Sequence, residues 1–190
     1  EQKHWYPFAV KVGNALLHEE QFHAILSSSG PVTAHLIAYE LKKHHCIPWV
    51  ADLRDLWTQN HYYPYGPIRR VVERKLEVRI LSAADALVTV SSPLAEQLAG
   101  LHKGKAVFVI PNGFDPDEIG SAPLTREFTI TYTGQLYEGK RDPAPVFRVI
   151  GELINKGVLD PRLVRVRFFG PAQYWLKQEV KRYGLEQVVE

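Results

Sequence analysis

The chain has 190 residues, of which 45% are hydrophobic and 23% are charged, a composition typical of globular proteins. A formal net charge of +2 is too small to indicate a nucleic-acid-binding protein. No run of 18 apolar residues is present, which argues against a membrane-spanning helix. The single cysteine, Cys46, cannot form an intrachain disulfide, so we expect a reducing, cytoplasmic setting.

Hydrophobic periodicity predicts alternating helices and strands along the chain. In chain order the first predicted elements are a helix over 5–19, a strand over 22–26, a helix over 31–44, a strand over 48–53, a helix over 67–82, a strand over 86–90, a helix over 93–101 and a strand over 106–110. Residues 112–126, rich in proline, glycine and aspartate, are typical of a linker. Beyond the linker the predicted elements are a strand over 128–133, a helix over 143–156, a strand over 164–169 and a helix over 172–183.

The predicted strands are short and apolar on both faces, and helices separate them. This pattern indicates doubly wound parallel sheets covered by helices, an α/β fold. In such sheets ligands bind beyond the carboxyl ends of the strands. Polar residues lie at several of these ends, namely Ser28, Ser29, Asp52, Arg54, Asp55 and Asn112.

Four segments occur in order along the chain and carry a resemblance. They are SSSGPVTAHLIAYELKKHHCIPWVADLRDLW, SAADALVTVSSPLAEQL, VIPNGFDPD and ITYTGQLYEGKRDP. Together they resemble the large retaining glycosyltransferase family often called family 4, which has the GT-B fold. The resemblance implies two Rossmann-like domains facing across a cleft, the first binding an acceptor and the second a nucleotide-sugar donor.

The resemblance also implies a division of the chain. Residues 1–112 would be the C-terminal part of the acceptor-side domain, 113–126 a hinge, and 127–190 the N-terminal part of the donor-binding domain. The family's opening strand with its glycine-rich loop and its later pair of donor-binding glutamates are not seen, and the chain has no methionine. We therefore expect the chain to be a fragment of a hexosyltransferase, with part of each of its two domains missing. The fragment would be inactive by itself.

The donor site implied by the resemblance follows the strand over 128–133. Gly134 would let the backbone approach a diphosphate, and basic side chains would neutralise charge on the leaving group. The family has a basic residue one position past this glycine and a lysine six past it; here Gln135 and Lys140 hold those positions, and Arg141 is a second cation. The helix that follows Asp142 would add attraction for an anion. The alternative is a solvated turn before a helix.

The acceptor side is expected at Arg54 and Asp55, where many relatives have a histidine. An arginine stays protonated and cannot act as a general base, but it can bind a phosphate or carboxylate. Asp55 would orient Arg54 or contact an acceptor hydroxyl, and Asp52 would support Arg54. The alternative is a salt bridge that holds the following loop. Ser28 and Ser29 either bind an acceptor anion at a helix N-terminus or cap that helix.

Asn112, Gly113 and Asp115 are expected to form a turn or hinge, with donor contact as the alternative. The helix over 67–82 carries five basic residues, and its Ile68, Val71, Val72, Leu76 and Ile80 are predicted to face inward. Its basic side chains have two interpretations. They contact an anionic membrane at its cytoplasmic face, or they pair with acids on the helix surface, such as Arg69 with Glu73. An adjacent aromatic loop spans 61–66.

No histidine or cysteine spacing indicates a metal site, so we expect no metal and no cofactor, with a UDP- or GDP-sugar as substrate. No GxGxxG motif follows a predicted strand, which argues against an NAD-dependent oxidoreductase. The sequence thus predicts a glycosyltransferase of cell-surface polysaccharide or glycoconjugate synthesis, acting on a glycan or lipid-linked acceptor. The alternative is a relative that has lost catalysis and binds a nucleotide or glycan.

Overall fold

The computed structural model describes residues 4–118, 120 and 123–190. The chain divides into two compact units, the first ending at Asp115 and the second beginning at Pro116. Each unit contains parallel strands connected by helices, so the predicted doubly wound α/β class is confirmed.

The first unit is a four-stranded parallel sheet in the order β1-β2-β3-β4. Its strands are β1 (Ile25–Ser28), β2 (Trp49–Asp52), β3 (Ala86–Thr89) and β4 (Ala106–Val109). Its helices are α1 (Tyr6–Glu19), α2 (Thr33–His45), α3 (Pro67–Leu81) and α4 (Ser92–Leu101). Because all four strands run the same way, their carboxyl ends lie at one edge of the sheet, where Ser28 is in register with Asp52.

The core of the first unit lies between the sheet and its helices. Trp49, Leu53, Leu81, Leu87 and Leu98 are completely buried there. Burial of each such side chain stabilises the fold by roughly 1.5–3 kcal/mol. This core holds the ends of β2 and β3 in place, so the polar residues that follow them project from a rigid support.

Strand β1 begins later than the apolar run over 22–26 predicts. The Ile25 amide donates to the Pro48 carbonyl at 2.7 Å, and from there β1 pairs with β2 as far as Ser28. Phe22 lies before the strand and is exposed. The prediction was wrong at this position because hydrogen bonds to the neighbouring strand, and not local hydrophobicity, define where a strand begins.

The predicted orientation of α3 is also wrong. Ile80 is buried as expected, but Ile68, Val71 and Val72 have 83%, 58% and 62% of their surface exposed. Leu76 is exposed as well. The buried face of α3 carries Glu77 in their place.

The second unit is built on β5 (Phe128–Thr133) and β6 (Val164–Phe169), which pair in parallel. Helices α5 (Ala144–Asn155) and α6 (Tyr174–Arg182) follow the two strands, and a 3₁₀ turn covers Pro116–Glu118. A further parallel pairing joins Val189 to Val166. Phe147, Val164, Val166, Leu185 and Val188 form the centre of its apolar core.

Two glycines meet where β5 and β6 end. The Gly134 amide donates to the Phe169 carbonyl at 2.8 Å, and Gly134 has a φ of 130°, a conformation that favours glycine. A Cβ atom built on Gly170 would lie 2.2 Å from the Gly134 carbonyl oxygen. The two loops therefore touch through their backbones, and only glycine fits at position 170.

We expect Gly170→Ala to destabilise the second unit by about 1–3 kcal/mol, since the backbone of one loop must move to admit the methyl group. Hydrogen exchange of β5 and β6, followed by mass spectrometry, measures the effect. Gly151→Ala is the matched control: it lies inside α5, and a Cβ there would meet only the Tyr183 carbonyl oxygen at 3.5 Å. Equal exchange rates in the two variants would show that the contact between the glycines does not constrain these strands.

Candidate functional site

The loop from β5 to α5 brings two cations together beyond the end of the strand. The Tyr137 carbonyl accepts hydrogen bonds from the backbone amides of both Lys140 and Arg141, at 2.9 and 2.8 Å. This turn places Lys140 and Arg141 side by side after Gly134, and both side chains are exposed to solvent. Gln135 lies in the same loop and is also exposed.

The N-terminus of α5 already has a carboxylate beside it. Asp142 Oδ1 accepts a hydrogen bond from the Ala144 amide at 2.9 Å. This carboxylate occupies the position at which the helix was expected to attract an anion, and its charge opposes a second anion there. Attraction for an anion in this loop therefore depends on Lys140 and Arg141.

A pocket of about 510 Å³ opens beside the two glycines. Gly134, Leu136, Gly170 and Phe168 line one part of it, and the rest is lined by residues of α6, of the loop before it and of the segment after it. No site was predicted from the sequence at Gly170 or in α6. The available signal was the Gly-Pro pair at 170–171 directly after a predicted strand.

At the carboxyl edge of the first unit, serine side chains connect β1 to β2. Ser28 Oγ donates to Asp52 Oδ2 at 2.8 Å, and Ser29 Oγ donates to the Asp55 carbonyl at 3.1 Å. Helix α2 has no side-chain capping bond at Val32, so the expected capping by these serines is wrong. The expected support of Arg54 by Asp52 is replaced by the bond from Ser28.

Arg54 and Asp55 lie next to these serines, and both side chains are exposed. In the part of the chain that the structure describes, no ion pair joins Arg54 to Asp52 or Asp55. The salt bridge that was the alternative interpretation is therefore not formed. An exposed guanidinium next to an exposed carboxylate is an arrangement that can bind an anionic or hydroxylated ligand.

The loop after β2 is held by two carboxylates on the inner face of α3. Glu77 Oε2 accepts hydrogen bonds from the Thr58 amide at 3.1 Å and from the Thr58 hydroxyl. One turn earlier, Glu73 accepts from Trp57 Nε1 at 3.3 Å and from the Tyr63 hydroxyl at 2.8 Å. These bonds turn both acids inward, which is why the apolar residues of α3 face solvent.

Glu73 also makes the surface pair that the sequence suggested, with Arg69 Nε at 2.8 Å. Partial burial raises the pKa of Glu73, but the hydrogen bonds from Arg69, Tyr63 and Trp57 outweigh it, and the pKa is lowered overall. Burial and the bond to Glu73 together raise the pKa of Tyr63 to about 12. The Glu73 carboxylate therefore stays charged and Tyr63 stays protonated at neutral pH. The hydrogen bonds that hold the loop after β2 are thereby maintained.

A buried histidine lies beneath the serines. Trp49 Nε1 donates to Ser27 Oγ at 2.8 Å, and Ser27 Oγ lies 2.8 Å from His35 Nδ1. The Ser27 hydroxyl therefore accepts from the indole and makes a second hydrogen bond with His35 Nδ1, in which the donor depends on which ring nitrogen carries the proton. Burial lowers the pKa of His35 from 6.5 to about 4, and the charges of Asp52 and Glu77 offset only part of this shift.

This shift predicts acid sensitivity of the first unit. The unfolded chain binds a proton at His35 near pH 6.5 and the folded chain only near pH 4, so stability is fully present above 6.5 and falls toward pH 4, by about 3 kcal/mol. Urea denaturation between pH 7 and 4 should show a smaller loss in His35→Asn, which cannot titrate. His44→Asn, at an exposed histidine, should lose as much stability over this pH range as the wild type does. An unchanged pH dependence in His35→Asn would contradict the assignment.

Asn112, Gly113 and Asp115 are exposed and lie between β4 and the 3₁₀ turn. Residues 111–115 form no helix, strand or turn, so the turn predicted at Asn112–Gly113 is wrong. Across the described ranges, no group of three or more His, Cys, Asp or Glu is arranged to hold a metal ion. None of the described helices is long and apolar enough to cross a membrane.

The two units of parallel strands and helices have the GT-B type fold. The chain belongs to glycosyltransferase family 4, whose sequence profile matches residues 2–118. Both the family and the fold that the sequence segments suggested are thereby confirmed. No curated protein sequence matches the chain significantly.

Several solved structures share the fold. Anabaena HepE, in complex with UDP and glucose, aligns with a TM-score of 0.68 at 18% identity over 97% of this chain and 50% of HepE. A mutant of S. aureus TarM, with fondaparinux, α-GlcNAc-glycerol and UDP, has a TM-score of 0.60 at 10% identity over 95% of this chain and 36% of TarM. S. aureus MnaA with UDP has a TM-score of 0.53 at 14% identity over 97% of this chain and 51% of MnaA. The chain thus spans only about a third to a half of the length of these proteins.

Proposed function

We propose that this chain supplies part of the donor site and part of the acceptor site of a retaining hexosyltransferase. The donor is a nucleotide sugar such as a UDP- or GDP-sugar, and the acceptor is a glycan or lipid-linked sugar of cell-surface polysaccharide synthesis. The observation that carries the proposal is the β5–α5 loop, in which Lys140 and Arg141 follow the bare backbone of Gly134.

This loop suits the chemistry of sugar transfer. When the bond between the sugar and the diphosphate breaks, negative charge grows on the leaving phosphate. Cations that are already in place stabilise that charge more than they stabilise the intact donor, which lowers the barrier. Gly134 has no side chain, so it adds no bulk to the space that a phosphate would occupy beside Lys140 and Arg141.

On the acceptor side, Arg54 is proposed to bind a phosphate or carboxylate and Asp55 to contact a hydroxyl of the acceptor. Arg54 cannot remove a proton, because its guanidinium stays charged. Ser28, Ser29 and Asp52 support this edge through the hydrogen bonds between β1 and the loop after β2. Asn112, Gly113 and Asp115 are proposed as the hinge between an acceptor-side domain over 1–112 and a donor-binding domain over 127–190.

Two neighbours support a nucleotide-sugar donor. HepE is seen with UDP and glucose, and TarM with UDP and a glycan, fondaparinux. Since this chain spans half or less of either protein, sugar transfer is proposed for an intact protein and not for these 190 residues alone. A relative that only binds a nucleotide or glycan is the second possibility. In that case the intact protein would bind UDP or GDP but would not transfer or release a sugar.

We expect Lys140→Met to weaken binding of UDP or GDP about tenfold, because it removes a charge-assisted bond to phosphate of about 1.5–3 kcal/mol. Isothermal titration calorimetry with each nucleotide measures the loss. Lys156→Met is the matched control, since Lys156 caps the opposite end of α5. An equal loss in the two variants would mean that general charge, and not this loop, attracts the nucleotide.

An anionic lipid surface is proposed as a further partner, and the outer face of α3 favours it. Ile68, Val72, Lys75 and Arg79 recur at helical spacing on this face, and all four are exposed. Glu77 is buried and Glu73 is bonded to the loop after β2, so the face formed by Ile68, Val72, Lys75 and Arg79 carries only apolar and positively charged side chains. That combination matches the boundary of an anionic membrane, where apolar groups enter the headgroup layer and cations stay at its surface.

In sedimentation with vesicles, the chain should bind phosphatidylcholine mixed with phosphatidylglycerol and not phosphatidylcholine alone. Lys75→Gln should weaken this binding about fivefold, the effect of roughly 1 kcal/mol per basic residue near the surface. Lys103→Gln, at an exposed lysine outside α3, serves as the control. Binding to both vesicle types, or to neither, would exclude this partner.

A further inference from the structure

The hydroxyl of Tyr132 lies at the centre of the β5–α5 loop. Tyr132 is the penultimate residue of β5, and its ring centroid lies 6.0 Å from that of Phe168 on the neighbouring strand. Phe168 in turn packs edge-on against Phe147, a fully buried residue of the core. This aromatic chain fixes the direction of the Tyr132 ring, so that its hydroxyl reaches past the end of the strand.

Two groups of the loop meet this hydroxyl. It donates to the Gln135 carbonyl at 3.1 Å and lies 3.3 Å from Arg141 Nη1, which donates to it. Arg141 Nη1 is also 3.5 Å from the Gln135 carbonyl, and the guanidinium carbon lies 5.6 Å from the centroid of the Tyr137 ring. Arg141 is therefore held against the first turn of the loop, next to Gly134, although six residues separate it from Gln135.

We propose that Tyr132 is a positioning residue, which fixes Arg141 so that its guanidinium serves as the second phosphate-binding cation of the donor site; this rests on the proposed function. Fixing a long side chain before a ligand arrives removes part of the entropy that binding would otherwise cost. Arg141 contacts both Tyr132 and Gln135 through Nη1. The planar guanidinium has three nitrogens and five N–H donors in all.

The same geometry explains how a glutamine fits at position 135. A cation carried on residue 141 reaches the backbone of residue 135, so the charge beside Gly134 does not have to come from residue 135 itself. Lys140 and Arg141 then approach a diphosphate from one turn. Arg141 is oriented through Tyr132, a residue of a strand that is part of the core.

A double-mutant cycle tests the proposal. The variants are Tyr132→Phe, Arg141→Ala and the two combined, and the probes are UDP, GDP and inorganic pyrophosphate in isothermal titration calorimetry. Tyr132→Phe keeps the ring against Phe168 and removes only the hydroxyl. We expect it to weaken binding about threefold, Arg141→Ala to weaken binding about tenfold, and the double variant to bind no more weakly than Arg141→Ala.

Tyr174→Phe, at an exposed tyrosine in α6, is the matched control and should bind like the wild type. If Tyr132→Phe weakens binding equally with and without Arg141, the hydroxyl acts on its own and the positioning role is overturned. The same holds if Tyr132→Phe changes nothing. These results leave the donor site in place, whereas a wild-type chain that binds none of the three probes overturns the proposed donor site and the positioning role together.

A rescue variant adds a readout that a purely structural role would not change. Gln135→Arg in the Arg141→Ala background places a guanidinium on the residue whose carbonyl Arg141 contacts. We expect it to restore binding of pyrophosphate to within about threefold of the wild type, and to make binding insensitive to Tyr132→Phe. Rescue that still depends on the Tyr132 hydroxyl would contradict its action through Arg141.

Discussion

The inward bonds of Glu73 and Glu77 constrain the loop at the carboxyl edge of the sheet in the first unit. Removing a carboxylate from water is costly unless hydrogen bonds replace the lost solvent, and Thr58, Trp57 and Tyr63 supply them. The loop after β2 is fixed in return, and with it the C-terminal end of the segment that carries Arg54 and Asp55. The same bonds set the rotation of α3 and therefore place its apolar residues on the surface.

The second unit depends on a different constraint, which is steric. Gly134 and Gly170 allow two loops to approach so closely that no side chain fits between them. Their contact aligns the end of β5 with the end of β6 and defines one wall of the adjoining pocket. Lys140 and Arg141, which follow Gly134 in the chain, thus lie on a loop whose starting point is fixed.

Most elements of the fold could be predicted from the sequence because they depend on short-range periodicity. The runs that became β2, β3, β5 and β6 are apolar and bounded by turn residues, and the structure has them where they were expected. Strand β1 was misplaced because its bounds depend on hydrogen bonds to β2. The face of α3 was mispredicted because partners distant in sequence, Thr58 and Trp57, reversed the usual preference for burying apolar side chains.

The sequence by itself determined the α/β class, the family and the residue types available at the strand ends, since these follow from local patterns and ordered motifs. Only the tertiary structure decided which of those residues meet. It connected Ser28 to Asp52, left Arg54 without the expected ion pair, and joined Tyr132 to Arg141. The physical reason is that a hydrogen bond depends on positions of a few tenths of an ångström, which are set by packing of the whole unit and not by neighbours in the chain.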